Sequence, residues 1–232
     1  MRRICSTSKE AVGRLLSGET RHTSRTTQAC PPQRVSFARA TVGVTMSPMK
    51  AVRPRVSYAD LERAPEDGRR YELYDGEVFV VPAPLPKHQI VQHTVTDLLR
   101  DYARDVGGFA VGSPIDIVFS EYDVLQPDVI YFSADRAHFV DVEHVIRHAP
   151  DLCVEVLSPS TEATDRGKKM QMFARYGVPE YWIVDTASET LEVYELRSGA
   201  YELVLTGRSD TTVSPASLPG HSFPAGSLFP QR

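Results

Sequence analysis

The run Leu152–Leu157 constrains the fold more than any other part of the sequence. Its six residues, Leu-Cys-Val-Glu-Val-Leu, are apolar on both faces of a strand except for Glu155, which is typical of a central strand covered on both sides. A carboxylate placed there loses its hydration, and an unpaired buried charge is very costly. We therefore expect Glu155 to meet a cation, a basic side chain or backbone donors. Buried ionisable groups of this kind are candidates for functional sites.

A second carboxylate opens another β-rich run. Pro127 suits the mouth of a strand, and Asp128 then precedes Val-Ile-Tyr-Phe. Two carboxylates on neighbouring strands could share a magnesium ion, which prefers oxygen ligands. Such an ion can activate water and neutralise charge on a phosphoryl group. The alternatives are a turn residue at a strand start for Asp128 and a structural ion pair for Glu155.

A lysine follows Glu155 on the next predicted helix, which runs from Asp165 to Tyr176 and ends at Gly177. Lys169 could point back over the strand end, where it would stabilise a phosphoryl oxygen or orient the attacking water. The alternative is a solvated lysine that pairs with Asp165 on the helix surface, four residues earlier.

The rest of the patterned chain alternates β-rich and helical segments. Residues 71–81 form two β-rich runs around Asp75-Gly76, a strong hairpin signal, and residues 88–106 have helical spacing of apolar residues. Further strand-like runs lie at 109–111, 115–119, 128–132, 181–184, 191–196 and 201–205. We predict an α/β domain over residues 55–210, with a mixed central sheet flanked by helices. Residues 211–232 are a C-terminal extension, predicted as a surface strand and loop.

Charge is divided unevenly along the chain. Residues 1–50 hold nine Lys or Arg against two Asp or Glu, which leaves about −11 for the remainder. An acidic body does not grip DNA by charge alone, but it is compatible with carboxylates that bind a cation. No stretch approaches the ~18 to 20 apolar residues of a membrane helix, so we expect no membrane partner.

Residues 1–50 are rich in Arg, Ser and Thr and show no sustained periodicity, which predicts a disordered basic tail. The segment resembles an organellar transit peptide, or it precedes the true start at Met46 or Met49. Three cysteines without pairing logic, Cys5, Cys30 and Cys153, suit a reducing cytoplasm. We therefore expect a cytoplasmic protein.

Several of these motifs together resemble a known family. Pro127-Asp128 followed by Glu155-Val156-Leu157 is similar to the signature of the PD-(D/E)XK nuclease superfamily. More specifically, residues 55–205 resemble the Uma family of putative restriction endonucleases. That resemblance is carried by Tyr71–Glu77, His88, Val154–Thr161, Asp165, Lys169 and Tyr176–Asp185.

The resemblance implies a restriction endonuclease-like core and an endodeoxyribonuclease that uses Mg²⁺, with Mn²⁺ as a second candidate metal and DNA as the substrate. It implies Asp128, Glu155 and the backbone carbonyl of Val156 as metal ligands. It also implies Lys169 as the catalytic lysine and Glu72 as an additional acid. Leu157 stands where the superfamily signature has lysine, so the lysine must come from the next helix. By the same analogy the chain could form a homodimer.

Two other functions fit the sequence. A non-catalytic interaction or regulatory protein could retain the nuclease fold, given the displaced lysine, the acidic body and the lack of a recognisable DNA-reading module. A metal-dependent hydrolase of small phosphate esters is the third hypothesis. DNA and RNA both remain open as the nucleic acid.

Overall fold

The computed structural model describes residues 54–230, and the predicted disordered tail at 1–50 lies outside them. The strands are β1 (Arg70–Tyr74), β2 (Glu77–Val81), β3 (Phe109–Gly112), β4 (Ile117–Val118), β5 (Val124–Leu125), β6 (Val129–Phe132), β7 (Leu152–Leu157), β8 (Glu180–Asp185), β9 (Thr190–Arg197), β10 (Ala200–Arg208), β11 (Thr212–Val213) and β12 (Phe223–Pro224). The α-helices are α1 (Tyr58–Glu62), α2 (Pro86–Val106), α3 (Glu162–Thr164) and α4 (Met170–Arg175). A π-helical segment, Asp165–Lys169, joins α3 to α4, and 3₁₀ turns lie at Ala137–Phe139 and Ala225–Leu228.

A six-stranded sheet in the order β10-β9-β8-β7-β6-β3 forms the centre of the fold. The β7–β8 pair is parallel and the other neighbours are antiparallel. The predicted mixed sheet flanked by helices is confirmed. All six residues of β7 are buried, because the strand lies inside the sheet and both faces are covered, as its composition indicates.

One face of this sheet packs against α2 and the C-terminal segment. The residues after 210 that are buried in this cluster are Val213, Leu218, Phe223, Ala225, Leu228 and Phe229. The prediction of a surface strand and loop after residue 210 is therefore wrong for these positions. The apolar side chains there are separated by Pro, Gly and Ser, so they follow neither a helical nor a strand period and their burial could not be predicted from periodicity.

The other face packs against α4 and a smaller sheet in the order β2-β1-β5-β4. The β1–β2 hairpin is confirmed: Asp75 and Gly76 have φ of 51° and 80°, as the two-residue turn of a right-twisted hairpin requires. Only Ile117–Val118 of the predicted strand 115–119 is a strand, and β5 was not predicted. The β1–β2 hairpin places β1 beside the candidate site described below.

The helix after β7 differs from its prediction. It begins at Glu162 rather than Asp165, and its middle turn is π-helical. π-helical turns are rare and often occur at functional sites. Within residues 54–230, no helix has the length and apolar composition needed to cross a membrane.

Candidate metal centre

Three carboxylates from three elements surround one ammonium group. Glu155 of β7, Glu72 of β1 and Asp165 of the π-helical segment are all buried, with Glu155 only 2% exposed. Lys169, 5% exposed, reaches them from the same π-helical segment. The Lys169 Nζ atom lies 2.8 Å from Glu155 Oε2, 3.1 Å from Glu72 Oε1 and 3.8 Å from Asp165 Oδ1.

The Lys169 ammonium makes its polar contacts within the protein. Of its three N–H donors, one donates to Glu155 Oε2 at 2.8 Å and one to the Gln126 carbonyl at 3.1 Å, while Glu72 Oε1 forms an ion pair with the same nitrogen at 3.1 Å. The alternative expectation, a solvated lysine that pairs with Asp165 on the helix surface, is wrong because both side chains are buried.

Glu72 is fixed from both sides. Its Oε1 atom accepts a hydrogen bond from Gln126 N at 2.8 Å, and its Oε2 atom accepts one from the Tyr74 hydroxyl at 2.8 Å. Burial and the neighbouring Glu72 charge raise the pKa of Tyr74 above its usual range, so this hydroxyl stays protonated and keeps donating. The hairpin thus holds Glu72 rigidly beside Lys169.

Asp128 is tied to β7 on both sides of Glu155. Its backbone N–H donates to Val154 O at 3.1 Å, and its Oδ2 atom accepts from Val156 N at 2.8 Å. Its side chain is 14% exposed, more than any of the other acids in the cluster. Because N–H and C=O of one strand residue point to the same side, the Val156 carbonyl also faces the side on which Asp128 lies.

Two residues of α2 that are not among the predicted site residues hold Asp128. His88 Nε2 lies 3.1 Å from Asp128 Oδ2, and Gln92 Nε2 donates to the Asp128 carbonyl at 3.0 Å. Both side chains are buried. Their four-residue spacing places them on one helix face, which was visible in the sequence, whereas the strand they contact was not.

The site holds more negative than positive charge. Burial raises the pKa of Glu155 well above its usual range, against the opposing effect of Lys169 and with further contributions from Asp165, Asp128 and Glu72. Burial likewise raises the pKa of Asp165 to about 6, although Lys169 opposes it. Attraction to these carboxylates outweighs desolvation and raises the pKa of Lys169. One ammonium therefore does not neutralise the cluster, and an additional cation would be stabilised there.

The donor set fits a hard cation that keeps part of its hydration. The Glu155 Oε1 atom is buried and has no hydrogen-bond partner among the described residues. Within residues 54–230, no group of three or more His, Cys, Asp or Glu side chains is arranged so that it could hold a metal ion. Mg²⁺ does not require one, because it is commonly bound by one or two carboxylates together with water and substrate phosphates. Asp128, Glu155 and the Val156 carbonyl fit that description.

The structure brings the predicted site residues Asp128, Glu155, Lys169 and Glu72 to one end of the central sheet. Glu155 and Lys169 are in direct contact, and Asp128 binds the residue that follows Glu155. Their roles as ligands or catalytic groups stay predictions. Cys153 is a buried free thiol between Ile130 and Tyr181, as expected for a small core residue.

Comparison with known proteins identifies relatives of this chain. Residues 56–226 match the family model described as "Uma2: Putative restriction endonuclease". The uncharacterized protein slr1290 of Synechocystis sp. is 26% identical over 165 residues, which are 69% of this chain and 83% of that protein. The crystal structure of a putative nuclease belonging to DUF820 from Anabaena variabilis matches with a TM-score of 0.62 at 20% identity, covering 75% of this chain and 97% of that one. This structural match shows a common fold.

Proposed function

Because the chain belongs to the Uma2 family of putative restriction endonucleases, we propose that it is a divalent-metal-dependent nuclease that hydrolyses DNA phosphodiester bonds. The observation that carries the proposal is Glu155, a carboxylate in the apolar strand β7 whose Oε1 atom is buried without a partner. An orphaned buried oxygen in a cluster of excess negative charge is expected to attract a cation.

We assign Asp128 and Glu155 as the ligands of Mg²⁺ or Mn²⁺, with the Val156 carbonyl as a third oxygen. The ion would supply Lewis acidity and a water of lowered pKa for attack on phosphorus. Asp128 Oδ2 is already occupied by Val156 N and faces His88, so Asp128 would offer its Oδ1 atom. Glu155 would offer Oε1, since Oε2 accepts from Lys169.

Lys169 and Glu72 would act beside these ligands. The Lys169 ammonium opposes the effect of burial on the pKa of Glu155, and so favours the ionised form that a metal ligand requires. To orient an attacking water or a phosphoryl oxygen, Lys169 would direct an N–H toward that oxygen while it keeps its hydrogen bonds to Glu155 and the Gln126 carbonyl. The ion pair with Glu72 at 3.1 Å is the contact that we expect to lengthen.

A non-catalytic protein that retains the nuclease fold is the second candidate. It is favoured by the contacts that Lys169 makes within the protein, two hydrogen bonds and an ion pair with Glu72, and by Leu157 at the position where the superfamily signature has lysine. In this case Lys169 serves as a structural counter-ion and no phosphate reaches it.

The test is cleavage of supercoiled plasmid by purified protein in the presence of Mg²⁺. We expect nicked and linear products from the wild type and a loss of about 100-fold in Asp128→Ala and Glu155→Gln, the upper end of the effect of losing groups that merely support metal ligands. Glu180→Gln is the matched control: Glu180 is equally buried at 2% exposure, but it accepts hydrogen bonds from Trp182 and Ser217 at the other end of β8. Cleavage that persists unchanged in both site variants would contradict the proposal.

A further inference from the structure

Asp128 is the only proposed ligand whose carboxylate is held by two elements at once. Its Oδ2 atom accepts from Val156 N of β7 at 2.8 Å and faces His88 Nε2 of α2 at 3.1 Å. Two donors on a single carboxylate oxygen fix the rotation of the carboxyl plane. They leave Oδ1 as the oxygen that is free to bind something else.

His88 makes this contact with a defined ring nitrogen. A carboxylate oxygen offers only lone pairs, so the nitrogen that faces it, Nε2, carries the proton. The Nδ1 atom is buried and has no hydrogen-bond partner among the described residues. Leaving a polar atom buried and unpaired costs free energy, so the buried position of the ring lowers the stability of the fold unless the contact with Asp128 offsets this cost. Within residues 54–230 its one hydrogen-bonding contact is with Asp128.

The next turn of α2 fixes the backbone of the same residue. Gln92 Nε2 donates to the Asp128 carbonyl at 3.0 Å and to the Ser113 carbonyl at 3.3 Å. Gln89 Nε2 in turn donates to Gln92 Oε1 at 2.9 Å, which orients the Gln92 amide. Consecutive turns of one helix therefore hold the side chain and the main chain of Asp128.

We propose that His88 is a positioning residue, which orients the Asp128 carboxylate so that Oδ1 faces the divalent cation. The inference rests on the proposed function, because it assumes that Asp128 is a metal ligand. Groups that hydrogen-bond a ligating carboxylate restrict its orientation, and their loss weakens metal binding by about 10- to 100-fold. His88 itself does not touch the cation.

The test compares two amide substitutions by Mn²⁺ titration, with isothermal calorimetry as the readout. The amide nitrogen of Gln stands about as far from Cα as His Nε2, and that of Asn about as far as Nδ1. We expect His88→Asn to bind Mn²⁺ about 10- to 100-fold more weakly and His88→Gln to bind it within a few-fold of the wild type. Rescue by Gln but not by Asn separates orientation of Asp128 from a general packing effect.

Thermal unfolding of both variants, followed by circular dichroism, keeps the result interpretable. Equal unfolding temperatures for the Asn and Gln variants, together with unequal Mn²⁺ affinities, support the inference. Equal Mn²⁺ affinities of the two variants would overturn it, whether both match the wild type or both fall. A wild type that binds no Mn²⁺ would overturn the metal site itself and this inference with it, whereas wild-type binding that His88→Asn leaves unchanged would overturn the inference alone.

Discussion

Three carboxylates and a backbone carbonyl surround the Lys169 ammonium, and these contacts determine how much stability the protein loses when Lys169 is replaced. Buried ion pairs contribute little net stability, but removal of one partner is strongly destabilising because it leaves a buried charge uncompensated. The Glu155 carboxylate would suffer most, since it is the most completely buried partner in direct hydrogen-bond contact.

We therefore predict that Lys169→Ala lowers the free energy of unfolding by about 3–5 kcal/mol in metal-free protein. The neighbouring Lys168 is the matched control: it is half exposed, pairs with Glu77 at 3.3 Å and lies over the Phe79 ring. Lys168→Ala should cost about 1 kcal/mol. Urea unfolding measures both values, and equal losses would show that Lys169 is not the counter-ion of the cluster.

Asp165 gives the site a pH dependence of known sign. Burial raises its pKa to about 6 in the folded protein, above the ordinary value near 4 in an unfolded chain. Its contribution to stability is therefore complete below about pH 4 and is lost as the pH rises through 6. Asp165→Asn should become more stable relative to the wild type across this window, by up to roughly 3 kcal/mol. Unfolding at pH 4, 5, 6 and 7 tests this, and a pH-independent difference would contradict it.

The β1–β2 hairpin is the element that carries Glu72 to the site, and its turn is sterically demanding. Gly76 has a φ of 80°, and a Cβ atom there would lie 2.7 Å from Arg55 Cβ. Gly199 at the β9–β10 turn has a φ of 85°, but a Cβ atom there would meet nothing within 4 Å. The two glycines share the backbone conformation and differ in the clash.

Gly199→Ala should cost about 1 kcal/mol from backbone strain alone, and Gly76→Ala should cost at least about 1 kcal/mol more. Differential scanning calorimetry of the two variants isolates the contribution of the Arg55 contact. Equal unfolding temperatures of Gly76→Ala and Gly199→Ala would contradict this prediction, because they would mean that Arg55 moves away from the new methyl group at no cost in free energy.

The π-helical segment is the element that the sequence could least reveal. The hairpin at Asp75-Gly76 can be predicted from local turn preferences, and Glu155 can be recognised as a charge in an apolar strand. The inward turn of Asp165 and Lys169 instead depends on distant residues: Tyr181 donates to the Asp165 carbonyl at 3.1 Å, and Arg166 forms two hydrogen bonds with Glu192 of β9 at 2.6 and 3.0 Å. The His88–Asp128 contact could not be predicted from local sequence either, because it joins residues 40 positions apart.

At the scale of the whole molecule, the C-terminal segment completes the core that supports the site. The side chains of Leu218, Phe223 and Leu228 pack in the same cluster as Val154, Val156 and α2. Buried Glu180 fastens this segment by accepting from Ser217 N and Ser217 Oγ, each at 2.9 Å. A domain boundary at residue 210, as expected from sequence, would divide this cluster.

A chain that ends at residue 210 should therefore fail to fold cooperatively, because it exposes the core face of α2 and β7. Circular dichroism on heating would show no sigmoidal transition for the truncated chain and a clear one for the full chain. A truncated chain with an unchanged transition would contradict the placement of residues 213–229 in the core.

The central claim, a divalent cation held by Asp128 and Glu155, is tested most directly by a crystal structure at saturating Mn²⁺ with anomalous data collected at the manganese edge. We predict one anomalous peak at the end of β7, about 2.1 Å from an oxygen of Asp128 and an oxygen of Glu155, with Lys169 still in contact with Glu155 Oε2. Saturating Mn²⁺ without a peak between these two carboxylates would contradict the claim.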